Sequence, residues 1–362
     1  MVSERHVVFW TAAFLVFAAL VWLLSPILLP FVIGMAIAYL LDPLTTRLTK
    51  RGLSRLVAAL LMLAAFVLIV IGLSLVVVPI LVKQFFGFVS EFIGNLPNYV
   101  QHIQNWVNDP SHPWIKRIVG DSFARTDQSV SSLLVPAIGY LNGVLASVLA
   151  KGDALLSLVS VVIVAPVVAF YLICDWNRVV ESVDRLVPLP QRDTVRHLAR
   201  EIDLSISAYV HGQSLVCLIL GCYYAVGLTA AGLQFGLLIG VISGLSSFVP
   251  YFGSFTALLI SFCVAIEQFY PQWNRVLIVV GVVLCGQFIE GNILSPKLLG
   301  KRVGLHPVWL IFALFAFGYL FGFVGLLLAV PLAAAAAVLT RFALQHYRAS
   351  SLYTGDGANE AS

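Results

Sequence analysis

ALLSLVSVVIVAPVVAFYLIC, residues 154–174, carries no charged side chain. It is about as long as one helical crossing of a bilayer, whose hydrocarbon core of roughly 30 Å takes about 20 residues. Asp175 follows at once, and the segment to residue 208 alternates differently. Trp176, Val179, Val180, Val183, Leu186 and Val187 form one stripe at helical spacing, with Arg178, Glu181, Asp184 and Arg185 opposite. Pro188 and Pro190 interrupt it, and Val195, Leu198, Ile202 and Ile206 begin a second stripe. The pattern predicts a membrane span followed by interfacial elbow helices over 176–208.

Composition agrees with that reading along the whole chain. Of 362 residues, 60% are hydrophobic and 10% charged, and the mean hydropathy is +0.98. Such a chain cannot cover a water-exposed surface of its size. Long uninterrupted apolar runs, rather than strand-like alternation, predict an all-α polytopic membrane protein and exclude an outer-membrane barrel. The net charge of +4 is spread thinly and gives no sign of a nucleic-acid partner.

Further runs extend the pattern. Residues 7–24 read as an uncleaved first span and a second run ends near Asp42-Pro43, which is expected to stop it. A basic loop with Arg47, Lys50, Arg51 and Arg55 precedes a third span over roughly 56–82. Phe85, Val89, Phe92, Leu96, Tyr99, Ile103 and Trp106 then mark an amphipathic helix, broken by DPSHP at 109–113. Treating the softer run 133–150 as interfacial and 154–174 as the fourth span keeps the arginine-rich elbow inside. Fifteen of the 21 Lys and Arg residues then fall on the cytoplasmic side, with both termini cytoplasmic.

The second half differs. Its runs, near 214–232, 235–249, 252–266, 276–289, 308–321 and 323–339, are mostly short and punctuated by Gly and Pro, as re-entrant or broken helices are. The organisation predicted is a three-span bundle over 1–82, an extracytoplasmic or interfacial segment over 83–150, a core over 151–350 and a disordered tail over 351–362.

No catalytic constellation stands out: there is no phosphate-binding Gly loop, no HExxH and no nucleophile elbow, which argues against an enzyme. The five cysteines all lie in apolar runs without zinc spacing and read as small core residues, so neither metal nor cofactor is expected. What remains is polar chemistry at membrane depth. In GQFIEGNILSPKLLGKRVGLHP, residues 286–307, Gln287 and Glu290 share a helix face with Gly286 and Val283, and Asn292 follows as the helix nears Pro296. Glu290 is either a carboxylate that carries a proton or cation, or a helix-end ion pair with Lys297, Lys301 or Arg302. SSFVPYFGS (246–254) is either a helix break at Pro250 and Gly253 that lines a path, or a tight turn. Gln213, in the His211-Gly212-Gln213 opening of the fifth span, is a candidate for the same cavity, and Gly318 and Gly322 allow close helix approach.

These motifs carry a resemblance. Glu290-Gly291-Asn292, Pro296, Gly304-Leu305-His306-Pro307, Gly322, Gly325 and Pro331, with Val249-Pro250-Tyr251-Phe252-Gly253, His211-Gly212-Gln213 and Leu41-Asp42-Pro43-Leu44, resemble the autoinducer-2 exporter (AI-2E) family of bacterial inner-membrane permease-like proteins. Asp42 stands where Asn is expected and Ser254 where Pro is usual. The resemblance implies about eight spans, a homo-oligomer in membrane lipid, and export of a small polar solute such as autoinducer-2. Some relatives are linked to sodium/proton exchange. As a secondary transporter, the chain would place Glu290, Asn292, Gln287, Gln213, Pro250 and Gly253 along its solute or ion path in a transport core. The alternative is an oligomeric membrane scaffold whose amphipathic segments, 83–107 and 176–208, bind partners or lipid.

Overall fold

The computed structural model describes residues 23–24, 27–108, 152–299, 306–349 and 353. Among these the regular structure is helical throughout. In chain order the helices are α1 (Leu28–Thr49), α2 (Arg55–Asn108), α3 (Gly152–Leu186), α4 (Arg192–Ala230), α5 (Gly236–Ser246), α6 (Phe252–Phe269), α7 (Trp273–Ile289) and α8 (Pro307–Arg348), with a π-helical continuation of α7 over Glu290–Leu299. Among the described residues, seven helices are long and apolar enough to cross a membrane. The chain is a polytopic helical membrane protein. Residues 7–22 of the expected first span, the break at 109–113, the run 133–150 and Gly304 lie outside the described residues.

The chain divides into two compact units, residues 71–160 and a larger one formed by 1–70 with 161–362. In the smaller, Leu73, Leu75, Val76 and Ile80 are exposed on a helix that carries no charge between Arg55 and Lys83, as a lipid-facing helix requires. The larger unit holds the candidate site.

Within it, α1 buries Pro30, Gly34, Ala38, Leu41 and Thr45 along one stripe. Gly34 lets its backbone lie against α3: a Cβ there would come within 2.7 Å of the Ala165 carbonyl oxygen. Ala38, Leu41, Ala59, Ala169 and Ile173 form the core shared by α1, the start of α2, and α3. The sequence expectation that Asp42-Pro43 ends this span is corrected. Pro43 removes one backbone donor, but the buried stripe continues to Thr45 and the helix runs to Thr49.

The elbow forms where the prolines predict. α3 continues through the stripe 176–186 and stops before Pro188, and after a single 3-10 turn (Leu189–Gln191) α4 begins. Both guanidinium nitrogens Nε and Nη2 of Arg196 donate to the Asp184 carboxylate at 2.7 Å, tying the two arms together. His211-Gly212-Gln213, expected to open a span, instead sits in the middle of the 39-residue α4, because the amphipathic stripe and the apolar run join in one helix.

The short runs of the second half become two helical hairpins. The first is α5 and α6. α5 has 11 residues, about 16 Å of helix, too little to cross ~30 Å of hydrocarbon. It lies on α4 through Gly236, Gly240 and Gly244, whose missing side chains bring its backbone against Thr229, Ala225 and Gly221. The second hairpin is hidden inside α8. Gly322 has φ 58° and ψ −137°, outside helical space. A Cβ on Gly325 would fall on the Phe317 carbonyl oxygen, and one on Gly318 would lie 2.9 Å from Leu326 Cδ2. Residues eight apart in a straight helix are separated by about 12 Å, so the chain folds back at Gly322. Leu310 from the first arm and Val330 from the second accordingly pack on one cluster with Tyr209, Val210 and Phe248.

Candidate functional site

The tip of the first hairpin, residues 247–251, leaves backbone groups without helical partners, and α4 supplies them. The Gln213 side-chain amide donates to the Ser247 carbonyl, and the Tyr209 hydroxyl donates to the Phe248 carbonyl at 2.7 Å. Gln213 and Tyr209 lie four residues apart on the buried stripe of α4, which is why one helix can cap both carbonyls. Pro250 lacks a donor by itself, and Gly253 admits close approach: a Cβ there would come within 2.5 Å of the Ser247 nitrogen. Tyr251, between them, has φ 68°, a left-handed conformation that a bulky residue adopts only when its surroundings enforce it.

The hairpin tip meets α7 through Ser254. Its hydroxyl donates to Glu290 Oε2 at 2.8 Å, and Gln287 Nε2 approaches the Ser254 carbonyl at 3.4 Å. Glu290 is half-buried, and no ion pair joins it to Lys297. The expected pairing to that lysine is therefore not formed, while Lys301 and Arg302 lie outside the described residues. Ser254, which stands where the resemblance leads one to expect Pro, is the residue that holds the carboxylate. Proline in its place would have no hydroxyl to donate.

Three helices give the cluster a consistent depth. Gln268 donates to the Gly232 carbonyl at 2.8 Å and accepts from the Gln234 nitrogen at 2.7 Å, so the end of α6 and the α4–α5 connection share one level. Gln213 lies seventeen residues before Ala230, and Glu290 seventeen after Trp273, each about 25 Å along its helix. The polar cluster thus lies about one helical crossing away from the α4–α5 connection, toward the opposite end of the bundle.

The remaining expected residues separate from this cluster. Asn292 is exposed and its amide donates back to the Phe288 carbonyl at 3.1 Å, within its own helix. His306 caps α8, its Nδ1 accepting from the Val308 nitrogen at 3.3 Å, and Pro307 occupies the first turn where no donor is needed. Gly318, Gly322 and Gly325 shape the second hairpin, and Pro331 is buried in its second arm.

One notable neighbour is Tyr224. It is fully buried against Gly286, one turn before Glu290, and its hydroxyl has no hydrogen-bond partner among the described residues. Removing such a group takes away a desolvated donor without losing a bond. Tyr224→Phe is therefore expected to raise the thermal unfolding midpoint in nanodiscs, by an amount corresponding to about 1 kcal/mol. A lowered midpoint would reveal a partner for that hydroxyl.

Sequence reasoning missed a second polar constellation altogether. A cavity of about 120 Å³ lies between α1, α3 and α4, with Tyr39, Asp42, Asp203, Ser207 and His211 on its walls. The signal was present: Asp203 and Ser207 interrupt the inward stripe of Ile202 and Ile206, and Tyr39 and Asp42 are three apart on α1. Asp42, which stands where the resemblance leads one to expect Asn, contributes one of its two carboxylates.

Fold and site define a polytopic helical membrane protein: a helical bundle containing a short-helix hairpin whose tip is anchored to buried polar side chains. Residues 11–345 match the family model described as AI-2E family transporter, and the chain belongs to that family. The "Putative transport protein YrrI" of Bacillus subtilis is 31% identical over 323 residues, covering 88% of this chain and 87% of that protein. The "Putative permease PerM" of Escherichia coli strain K12 is 28% identical over 317 residues, covering 87% and 86%. These relationships support a role in transport.

Proposed function

We propose that this chain is a secondary transporter of the bacterial inner membrane that exports a small polar solute, with Glu290 as the residue linked to a coupling proton or sodium ion. Both termini are cytoplasmic in this reading, and the working unit is a homo-oligomer. The observation that carries it is the half-buried Glu290 carboxylate, joined to the hairpin tip by Ser254 rather than neutralised by Lys297. A half-buried carboxylate is costly unless used, and a carboxylate that gains or loses a cation changes its bond to Ser254 and so its hold on the hairpin. Gln287 and Gln213 flank the same tip, and the Pro250–Gly253 turn is its movable part. The sequence has no phosphate-binding loop, so the drive comes from a gradient.

The test uses purified protein in lipid vesicles, wild type beside Glu290→Gln. A pH gradient, and separately a sodium gradient, is imposed while autoinducer-2 flux and internal pH are followed. Gradient-driven flux is expected in the wild type and a loss of at least about tenfold in the variant, the scale of a 1.4 kcal/mol barrier change. Equal flux in both proteins would remove Glu290 from the mechanism. No movement in either would reject this solute and favour a membrane scaffold.

A further inference from the structure

The cavity between α1, α3 and α4 shares no residue with the cluster around Glu290. Its volume of about 120 Å³ is room for a small molecule. We propose that it binds a small organic cation, a primary ammonium on a short alkyl body, through Asp203 and Asp42.

The hydrogen-bond inventory of the walls leads to that class. The Tyr39 hydroxyl donates to Asp203 Oδ1 at 2.8 Å, so its proton is already used. His211 Nδ1 lies 2.7 Å from the Ser207 carbonyl. A carbonyl only accepts, which places a proton on Nδ1, across the ring from Nε2. That Nε2 is buried and has no partner among the described residues. Arg55 Nη2 contacts Asp42 Oδ1 at 3.3 Å, while its Nε donates to the Ile173 carbonyl at 2.7 Å. What remains on the walls is one further oxygen of each carboxylate, which only accepts, with the imidazole Nε2, the Ser207 hydroxyl and the Trp176 indole N–H beside them.

Charge points the same way. Two carboxylates face this space, and Arg55 offsets one of them. An anion is disfavoured, and a neutral alcohol brings a single donor where an ammonium brings three with a full charge. Aliphatic side chains and the Trp176 ring complete the lining, giving the alkyl body an apolar contact and the cation an aromatic one. A bare alkali ion would use the carboxylates but none of the apolar wall.

The experiment is saturation-transfer NMR on the full protein in nanodiscs, with n-butylammonium chloride as probe and 1-butanol and sodium butanoate as shape-matched comparisons. A saturable signal is expected for the ammonium only. Asp203→Asn is expected to weaken it at least tenfold. Ser207→Leu, which fills the cavity while keeping both carboxylates, is expected to abolish it. Glu290→Gln should leave it unchanged. Equal signals from 1-butanol, full displacement by equimolar sodium, or undiminished binding in both cavity variants would each overturn the proposal. The readout is binding without transport, so it is independent of the role given to Glu290.

Discussion

Gly240→Leu is expected to eliminate the folded, monodisperse protein. α5 touches α4 backbone to backbone along a ridge with a four-residue repeat, Gly236, Gly240 and Gly244 against Thr229, Ala225 and Gly221. A Cβ on Gly240 would fall on the Ala225 backbone and lie 2.6 Å from the Tyr224 carbonyl carbon. Backbone inside a helix cannot swing aside as a side chain can, so the two helices would have to separate along their length. Overpacking a core ordinarily costs about 1–3 kcal/mol, and this substitution adds a branched side chain where even a methyl has no room. Separation would also pull the hairpin tip away from Gln213 and Tyr209 and expose the Ser247 and Phe248 carbonyls to hydrocarbon. Size-exclusion profile and thermal unfolding in nanodiscs provide the measurement. Gly281→Ala is the comparison: a Cβ there meets nothing within 4 Å, and alanine is the better helix former by about 1 kcal/mol. A Gly240→Leu protein as stable as Gly281→Ala would show that α5 does not seat on α4 in this way.

A second large effect is expected at the fold-back of α8. Gly322 holds φ 58° with ψ −137°, a region closed to side chains, and Gly325 sits against the Phe317 carbonyl. A Gly322→Val, Gly325→Val double variant combines backbone strain of about 1–3 kcal/mol with a steric overlap at the crossing of the two arms. Straightening offers no relief. A continuous helix of 42 residues would be about 63 Å long, twice the hydrocarbon core. The hairpin must therefore open or the protein must unfold, and a fall in the unfolding midpoint larger than that of any single surface substitution is expected. Gly72→Ala, with nothing near its Cβ, is the control and should be neutral or stabilising.

The residues that made the fold legible are those whose role is local. Uncharged runs identify spans because hydrocarbon offers backbone groups no partner outside the helix. Pro188 and Pro190 mark the elbow because a proline ring blocks the turn before it, and His306-Pro307 starts a helix for the complementary reason. Pro43 shows the limit of the same logic: one missing donor is outweighed by a buried stripe that continues past it.

Glu290, Gln287 and Gln213 were recognisable as unusual because polar groups among apolar neighbours are expensive. Their partners were not. Ser254 and Ser247 hold them from 33 to 36 residues away in sequence, through a hairpin whose turn had two readings. The cavity was still less visible, because Tyr39 and Asp203 are 164 residues apart and each sits unremarkably on its own helix.

The sequence by itself thus determined the class of protein, the apolar segments, their breaks and the polar residues that needed explaining, since each follows from the period of one helix and the solvent around it. Only the tertiary structure decided that α5 and α6 turn back together, that α8 folds on itself at Gly322, and that one carboxylate meets a serine while another faces a cavity. Those outcomes depend on how closely two backbones can approach. That distance is set jointly by small residues on different helices, and no single helix encodes it.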